Sequence, residues 1–170
     1  MDYEPKDVMV LGAIKKGAKK FDKIQKMTRI DPKEINEILK KLEEKEMIKV
    51  EEKKGWLGKK IEITTTQKGD TEVEHRIHEL EGDWEKMVQV YKSGDKKKMK
   101  DQMDGFRGFF PMMMFFGIMD IMMFSMMFNM MGASMSDYVP ADQMPADVGD
   151  GNMGDGGGME DGGFDFDIGF

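Results

Sequence analysis

The chain has 170 residues, no cysteine and a formal net charge of −7. That length holds one ordinary domain plus appendages, and the lack of Cys excludes disulfides, thiolate metal sites and cysteine nucleophiles. The first ten residues, MDYEPKDVMV, contain no basic stretch followed by an apolar run, so no secretory signal is expected and a cytoplasmic location is. The charge is unevenly spread. Residues 1–70 hold 18 Lys+Arg against 14 Asp+Glu, whereas residues 111–170 hold ten Asp+Glu and no Lys or Arg. The acidity belongs to the tail, and the head is mildly basic.

In chain order, Pro5 to Ile14 reads as the start of a first helix, with Val8, Leu11 and Ile14 turned inward. Lys15, Lys16, Lys19 and Lys20 follow, suited either to a phosphate backbone or to the solvated C-terminal end of a helix, where the dipole favours cations. Phe21 to Val50 contains two short helical patterns and a turn. Phe21, Ile24 and Met27 share one side of the first, and Thr28-Arg29-Ile30 makes the connection. Asp31-Pro32 opens the second, as an Asp that accepts from free N–H groups and a Pro tolerated in the first turn. Its apolar positions Ile35, Ile38, Leu39 and Leu42 follow i, i+3, i+4, i+7, one buried stripe. Lys33, Asn36, Glu37, Lys40 and Lys41 are left outward. From Ile48 to Gly69 the pattern is strand, turn, strand, with Ile61, Ile63 and Thr65 alternating and Gly55 and Gly58 bracketing the turn.

This order of elements resembles a winged helix-turn-helix domain of the broad MarR/PadR/ArsR-like regulator type, over residues 8 to 91. LKKLEEKEMI (Leu39 to Ile48) is similar to the LxxLExxGLI that ends recognition helices there, and TTQKG (Thr65 to Gly69) is similar to the LTxxG that closes the wing. One departure is Glu46, a residue that dislikes positive φ, which stands at the C-cap where the family usually has Gly. The resemblance implies an α+β fold, a three-helix core with a two-stranded wing, and binding to double-stranded DNA. Lys33, Asn36, Lys40 and Lys41 would reach base edges or phosphates. The mixed charge contributed by Glu34, Glu37, Glu43 and Glu44 also fits a plain solvated helix or one used for protein contacts. In the wing, Lys53, Lys54, Lys59 and Lys60 flank Gly55-Trp56-Leu57-Gly58 and suit phosphates or a minor groove. Trp56 reads either as a contact at the tip or as a residue packed back on the sheet.

From Asp70 the pattern is helical. Val73, Ile77, Leu80, Trp84, Met87 and Tyr91 form a heptad seam, expected to join two copies in a homodimer or else to pack on its own domain. His75 and His78 lie at i, i+3, not the spacing of a metalloprotease helix, and no third ligand is forced, so no metal and no cofactor are expected. With no phosphate loop and no nucleophile elbow, an enzyme is not expected either.

Residues 94–108 read as a charged linker. The composition then changes: Phe109 to Met131 holds ten Met and six Phe in 23 residues. Its length reaches that of a membrane span, with Lys96, Lys97, Lys98, Lys100 and Arg107 on one side only, but Asp120 at its centre is costly in a bilayer. Unbranched Met also adapts to varied apolar helices. In composition alone the stretch resembles the Met-rich domains of the signal recognition particle and of chaperones for tail-anchored proteins. Burial in an oligomer or within the chain, capture of a hydrophobic helix, and membrane association all stay open, with Met113, Phe116, Met123, Met127 and Met130 as the candidate partner contacts. Residues 136–170, rich in Gly and Asp, are expected to be disordered.

The organisation expected is thus a winged-helix domain over 1–69, a dimerisation-type helix over 70–93, a linker over 94–108, a Met/Phe-rich apolar helix over 109–135 and a disordered tail over 136–170. The function expected is that of a dimeric, DNA-binding transcription regulator. The rival is a protein-binding adaptor or chaperone-like factor, or a membrane-associated regulator. The charge split suggests that the acidic tail competes with DNA for the basic head.

Overall fold

A computed structural model describes residues 4–144. It is a mixed α+β protein of helices and one two-stranded antiparallel sheet, an arrangement compatible with a winged-helix layout. The elements run α1 (Pro5–Lys15), α2 (Phe21–Thr28), α3 (Pro32–Glu44), β1 (Ile48–Gly55), β2 (Gly58–Thr65), α4 (Gln67–Ser93), α5 (Lys96–Phe106), α6 (Phe110–Phe115) and α7 (Ile121–Met131).

The first helix explains the arrangement of the rest. Every residue from Asp7 to Ile14 is buried, and VMVLGAI is apolar around the whole circumference rather than along one stripe. Such a helix must be covered on more than one side. Against α1 pack α2, α3, α4 and β2, and α6 packs on it as well. Gly12 makes the last contact possible: a Cβ there would stand 2.5 Å from the Phe116 ring.

Local chemistry sets the element ends. The Asp31 side chain accepts from the Lys33 N–H at 2.9 Å and caps α3. Two turns use the left-handed region without glycine, at Arg29 (φ 56°) after α2 and at Glu46 (φ 58°) after α3. Each such residue costs roughly 1–2 kcal/mol. Glu46 therefore does take the strained conformation that its place in the sequence demanded. Thr66 closes the sheet onto α4, its hydroxyl donating to the Glu46 carbonyl at 2.7 Å and accepting from the Gly69 N–H at 3.1 Å.

Beyond Ser93 the structure differs from the expectations. The stretch read as a charged linker over 94–108 is mostly α5, capped by Asp95, with Met99 and Met103 fully buried. Their i, i+4 spacing inside KKKMKDQMD is a one-stripe helix signal that the lysines obscure. The Met/Phe-rich run is not a single helix. It breaks at Gly117 (φ 66°), and Asp120 caps α7 by accepting from the Met123 N–H at 3.1 Å. The carboxylate that looked misplaced in an apolar span is a helix start. At 11 residues α7 measures about 16 Å, half a bilayer core. No helix among the described residues is long and apolar enough to cross a membrane.

The heptad seam of α4 is covered within the chain. Val73, Leu80 and Met87 are buried; Ile77, Trp84 and Tyr91 are half-buried against the core, Trp84 meeting the Phe124 ring of α7 edge-on at 6.3 Å. The periodicity reported a buried face, and α1, α5 and α7 cover much of it within the chain, the second of the two packings the seam allowed. Part of the tail is also packed. Tyr138 and Val139 are buried, and the Tyr138 hydroxyl donates to Asp104 at 2.7 Å. The Lys100 ammonium and then that bond hold the Asp104 carboxyl below its usual range, and the bond to Asp104, with burial, pushes the Tyr138 phenol up. Residues 145–170, the remainder of the tail expected to be disordered, lie outside the described residues.

Candidate nucleic-acid interface

α3 buries Ile35, Ile38 and Leu42, with Leu39 half-buried, which fixes which side chains face outward. Lys33, Asn36 and Lys40 are exposed. Among the described residues neither Lys33 nor Lys40 takes an ion-pair partner, while Glu34 is neutralised by Lys6 at 2.7 Å. Lys41, expected with this group, is turned the other way. It pairs with Asp7 of α1, whose side chain is almost wholly buried. A buried carboxylate left unpaired is strongly destabilising, so Lys41 joins α3 to α1 and is not available to a groove.

The hairpin β1–β2 is the second basic element. Its register sets Lys53 opposite Lys60, Lys54 opposite Lys59 and Gly55 opposite Gly58. Lys53 reaches back along the sheet to Glu62 at 2.7 Å, and Lys59 lies 3.7 Å from Glu52. The hydrogen bond from Lys53 lowers the Glu62 carboxyl pKa, with Lys19 and Lys60 adding to the positive field. These pairs are exposed and contribute little to stability. Lys54 and Lys60 take no ion-pair partner among the described residues. Trp56 and Leu57 at the tip are 103% and 100% exposed, so Trp56 does not pack back on the sheet.

No family model matches the chain, and no curated protein or solved structure is significantly similar to it.

The basic cluster after α1 divides. Lys15 pairs with Glu74 at 2.6 Å, and Lys16 lies over the Phe115 and Phe116 rings at 4.6 and 5.4 Å while donating to the Phe115 carbonyl at 3.3 Å. Burial there lowers the Lys16 pKa. Both residues hold elements together; Lys19 and Lys20 stay exposed. His75 and His78 are exposed on α4, and no group of three potential ligands gathers among the described residues.

The apolar candidates fare unevenly. Met113 and Met127 are fully buried, which removes them from any partner surface, and Phe116 is occupied against Gly12. Met123 and Met130 are half-buried. The exposed methionines of α7 are instead Met122 and Met126, at 74% and 45%. Their identity follows from the helix phase, and only the Asp120 cap in the sequence marks where that phase begins.

Proposed function

We propose that the protein is a winged-helix factor that binds double-stranded DNA, α3 acting as the recognition helix and β1–β2 as the wing, with transcription regulation as its role. The observation that carries this reading is the exposed set Lys33, Asn36 and Lys40 on the face of α3 opposite its buried stripe, joined through a three-residue connection to a hairpin with four more lysines around its tip. Asn offers a bidentate match to adenine and Lys a contact to guanine or phosphate. The α4 seam packs largely within the chain, so each copy carries a whole reading head whether or not two copies pair.

The test is fluorescence anisotropy of the full chain with random duplex DNA across a salt series. The expected result is binding whose log-log salt slope is about −4 or steeper, with Lys33→Glu/Lys40→Glu weakening it at least about tenfold. No binding at low salt would sink the reading. It would leave the adaptor alternative, which Met122 and Met126 favour as the exposed methionines of α7.

The acidic tail enters as a competitor. The 26 residues after Met144 hold seven Asp+Glu and no Lys or Arg, and the residues that lead to them lie beside the α2–α3 turn, where Arg29 donates to the Asp142 carbonyl. Tethered at that point, these carboxylates compete with DNA phosphates for the same lysines at high effective concentration. Removing residues 145–170 should tighten DNA binding about tenfold at low salt and change little at high salt. Equal affinities at low salt would exclude the tail from the mechanism. The cut belongs after Met144, because one at 136 would also remove buried Tyr138 and Val139.

A further inference from the structure

Of the hairpin's 16 strand residues only Ile48 and Ile63, near its base, are buried; from Lys49 to Ile61 every residue is exposed. About five residues of each strand, roughly 17 Å, therefore project beyond the body. The projecting end reads KKGWLGKK and contains no acid.

Two features of this end oppose stability. Lys53 faces Lys60 and Lys54 faces Lys59 in successive cross-strand pairs, and like charges directly opposite repel. Trp56 and Leu57 are as exposed as in an isolated peptide. The fold gains nothing from the exposed Trp56 and Leu57, and from the lysines only the exposed pairs of Lys53 with Glu62 and Lys59 with Glu52, which contribute little. Because side chains alternate across a strand, one lysine pair lies on each face of the ribbon. The apolar tip is thus surrounded by cations on both faces, not backed by them on one.

We propose that this tip docks on an anionic lipid bilayer, Trp56 and Leu57 entering the headgroup–acyl boundary while Lys53, Lys54, Lys59 and Lys60 contact the surrounding headgroups. The lysines alone suit any polyanion. The apolar pair selects among them: a bilayer offers an apolar layer directly beneath its charged surface, whereas a duplex keeps its apolar base faces stacked and out of reach. Tryptophan is favoured at that depth because its ring is amphipathic, and each lysine near an anionic surface raises partitioning about fivefold. The projection keeps the rest of the molecule clear of the plane. The inference does not depend on the DNA reading, and it moves membrane contact from the Met/Phe-rich run, which is largely buried, to the hairpin.

The experiment uses the full chain carrying Trp84→Phe, so that Trp56 is the sole tryptophan. It is titrated with vesicles of phosphatidylcholine and phosphatidylserine, with vesicles of phosphatidylcholine alone, and with duplex DNA. The expected result is a blue shift of Trp56 emission with the anionic vesicles only, suppressed by salt. Co-sedimentation should fall at least tenfold in Trp56→Ser/Leu57→Ser, whose melting should match the parent's because both side chains are fully exposed. An unshifted emission with anionic vesicles overturns the proposal. So does a response to DNA alone, which would place the tip in the nucleic-acid interface. A double variant that sediments like the parent also overturns it.

Discussion

A chain cut after Gly94 is expected to lose cooperative melting and to bind an apolar dye, even though it retains every element of the helix-turn-helix and hairpin. The cut removes α5, α6 and α7, and with them eight fully or nearly fully buried large side chains: Met99, Met103, Phe110, Met112, Met113, Phe124, Met127 and Phe128. The loss on the retained side matters more. α1 would be bared where α6 covered it, around Gly12, and α4 where Trp84 met Phe124. Burial of each large apolar side chain is worth about 1.5–3 kcal/mol. A whole domain has a net stability of only about 5–15 kcal/mol, so baring one side of the central helix together with the loss of the α5–α7 layer is enough to lose it. Calorimetry and dye fluorescence of the fragment beside the full chain decide the matter. A sharp transition without dye binding would show that the head stands alone and that the Met/Phe-rich layer is an accessory. This is also why DNA binding is best measured on the full chain.

What was legible in the sequence was whatever is decided locally. The stripe Ile35, Ile38, Leu42 lies within two turns of one helix, and its phase fixed both the buried side and the outward Lys33, Asn36 and Lys40. The glycines at 55 and 58 fixed the hairpin and its register. Lys41 escaped because its direction is set by Asp7, 34 residues away, which no local period reveals. The α4 seam shows the limit of periodicity, since a heptad reports that a face is covered and says nothing of the covering element. In the Met/Phe-rich run a different signal failed: where nearly every residue is apolar there is no contrast to carry a phase. Gly117 and Asp120, a stop and a start, were the legible marks.

The same physics bears on the adaptor alternative. Methionine is an adaptable filler of irregular space as much as a binding surface. Here Met99, Met103, Met112, Met113 and Met127 fill the interior, and the Phe110–Phe124–Phe128–Tyr138 rings stack in successive edge-on and tilted contacts at 4.8 to 5.1 Å. A Met-rich composition is thereby explained within one chain, without a client. Only Met122 and Met126 on α7 are left to speak for one.

Gly69→Ala is expected to destabilise the protein by about 3 kcal/mol and to lower Tm by on the order of 10 °C. Helix propensity alone predicts the opposite, because Ala is favoured over Gly inside a helix by about 1 kcal/mol. Geometry reverses the sign. A Cβ at Gly69 would stand 2.2 Å from the Met47 carbonyl oxygen and 3.1 Å from its carbon, with a Leu11 methyl at 3.3 Å. Backbone cannot swing aside as a side-chain tip can, and this backbone is held at both ends. The Met47 carbonyl accepts from Thr66 at 3.0 Å, and its N–H donates to Leu42 at 2.9 Å. Moving it disturbs the end of α3, the cap of α4 and the root of the hairpin together. The final glycine of TTQKG is therefore demanded by close approach and not by turn conformation. Gly82 on the same helix meets nothing within 4 Å, so Gly82→Ala should stabilise by up to about 1 kcal/mol. Opposite signs for the two substitutions in thermal melts would establish the contact at Met47; matching signs would show that α4 does not approach the α3–β1 turn so closely.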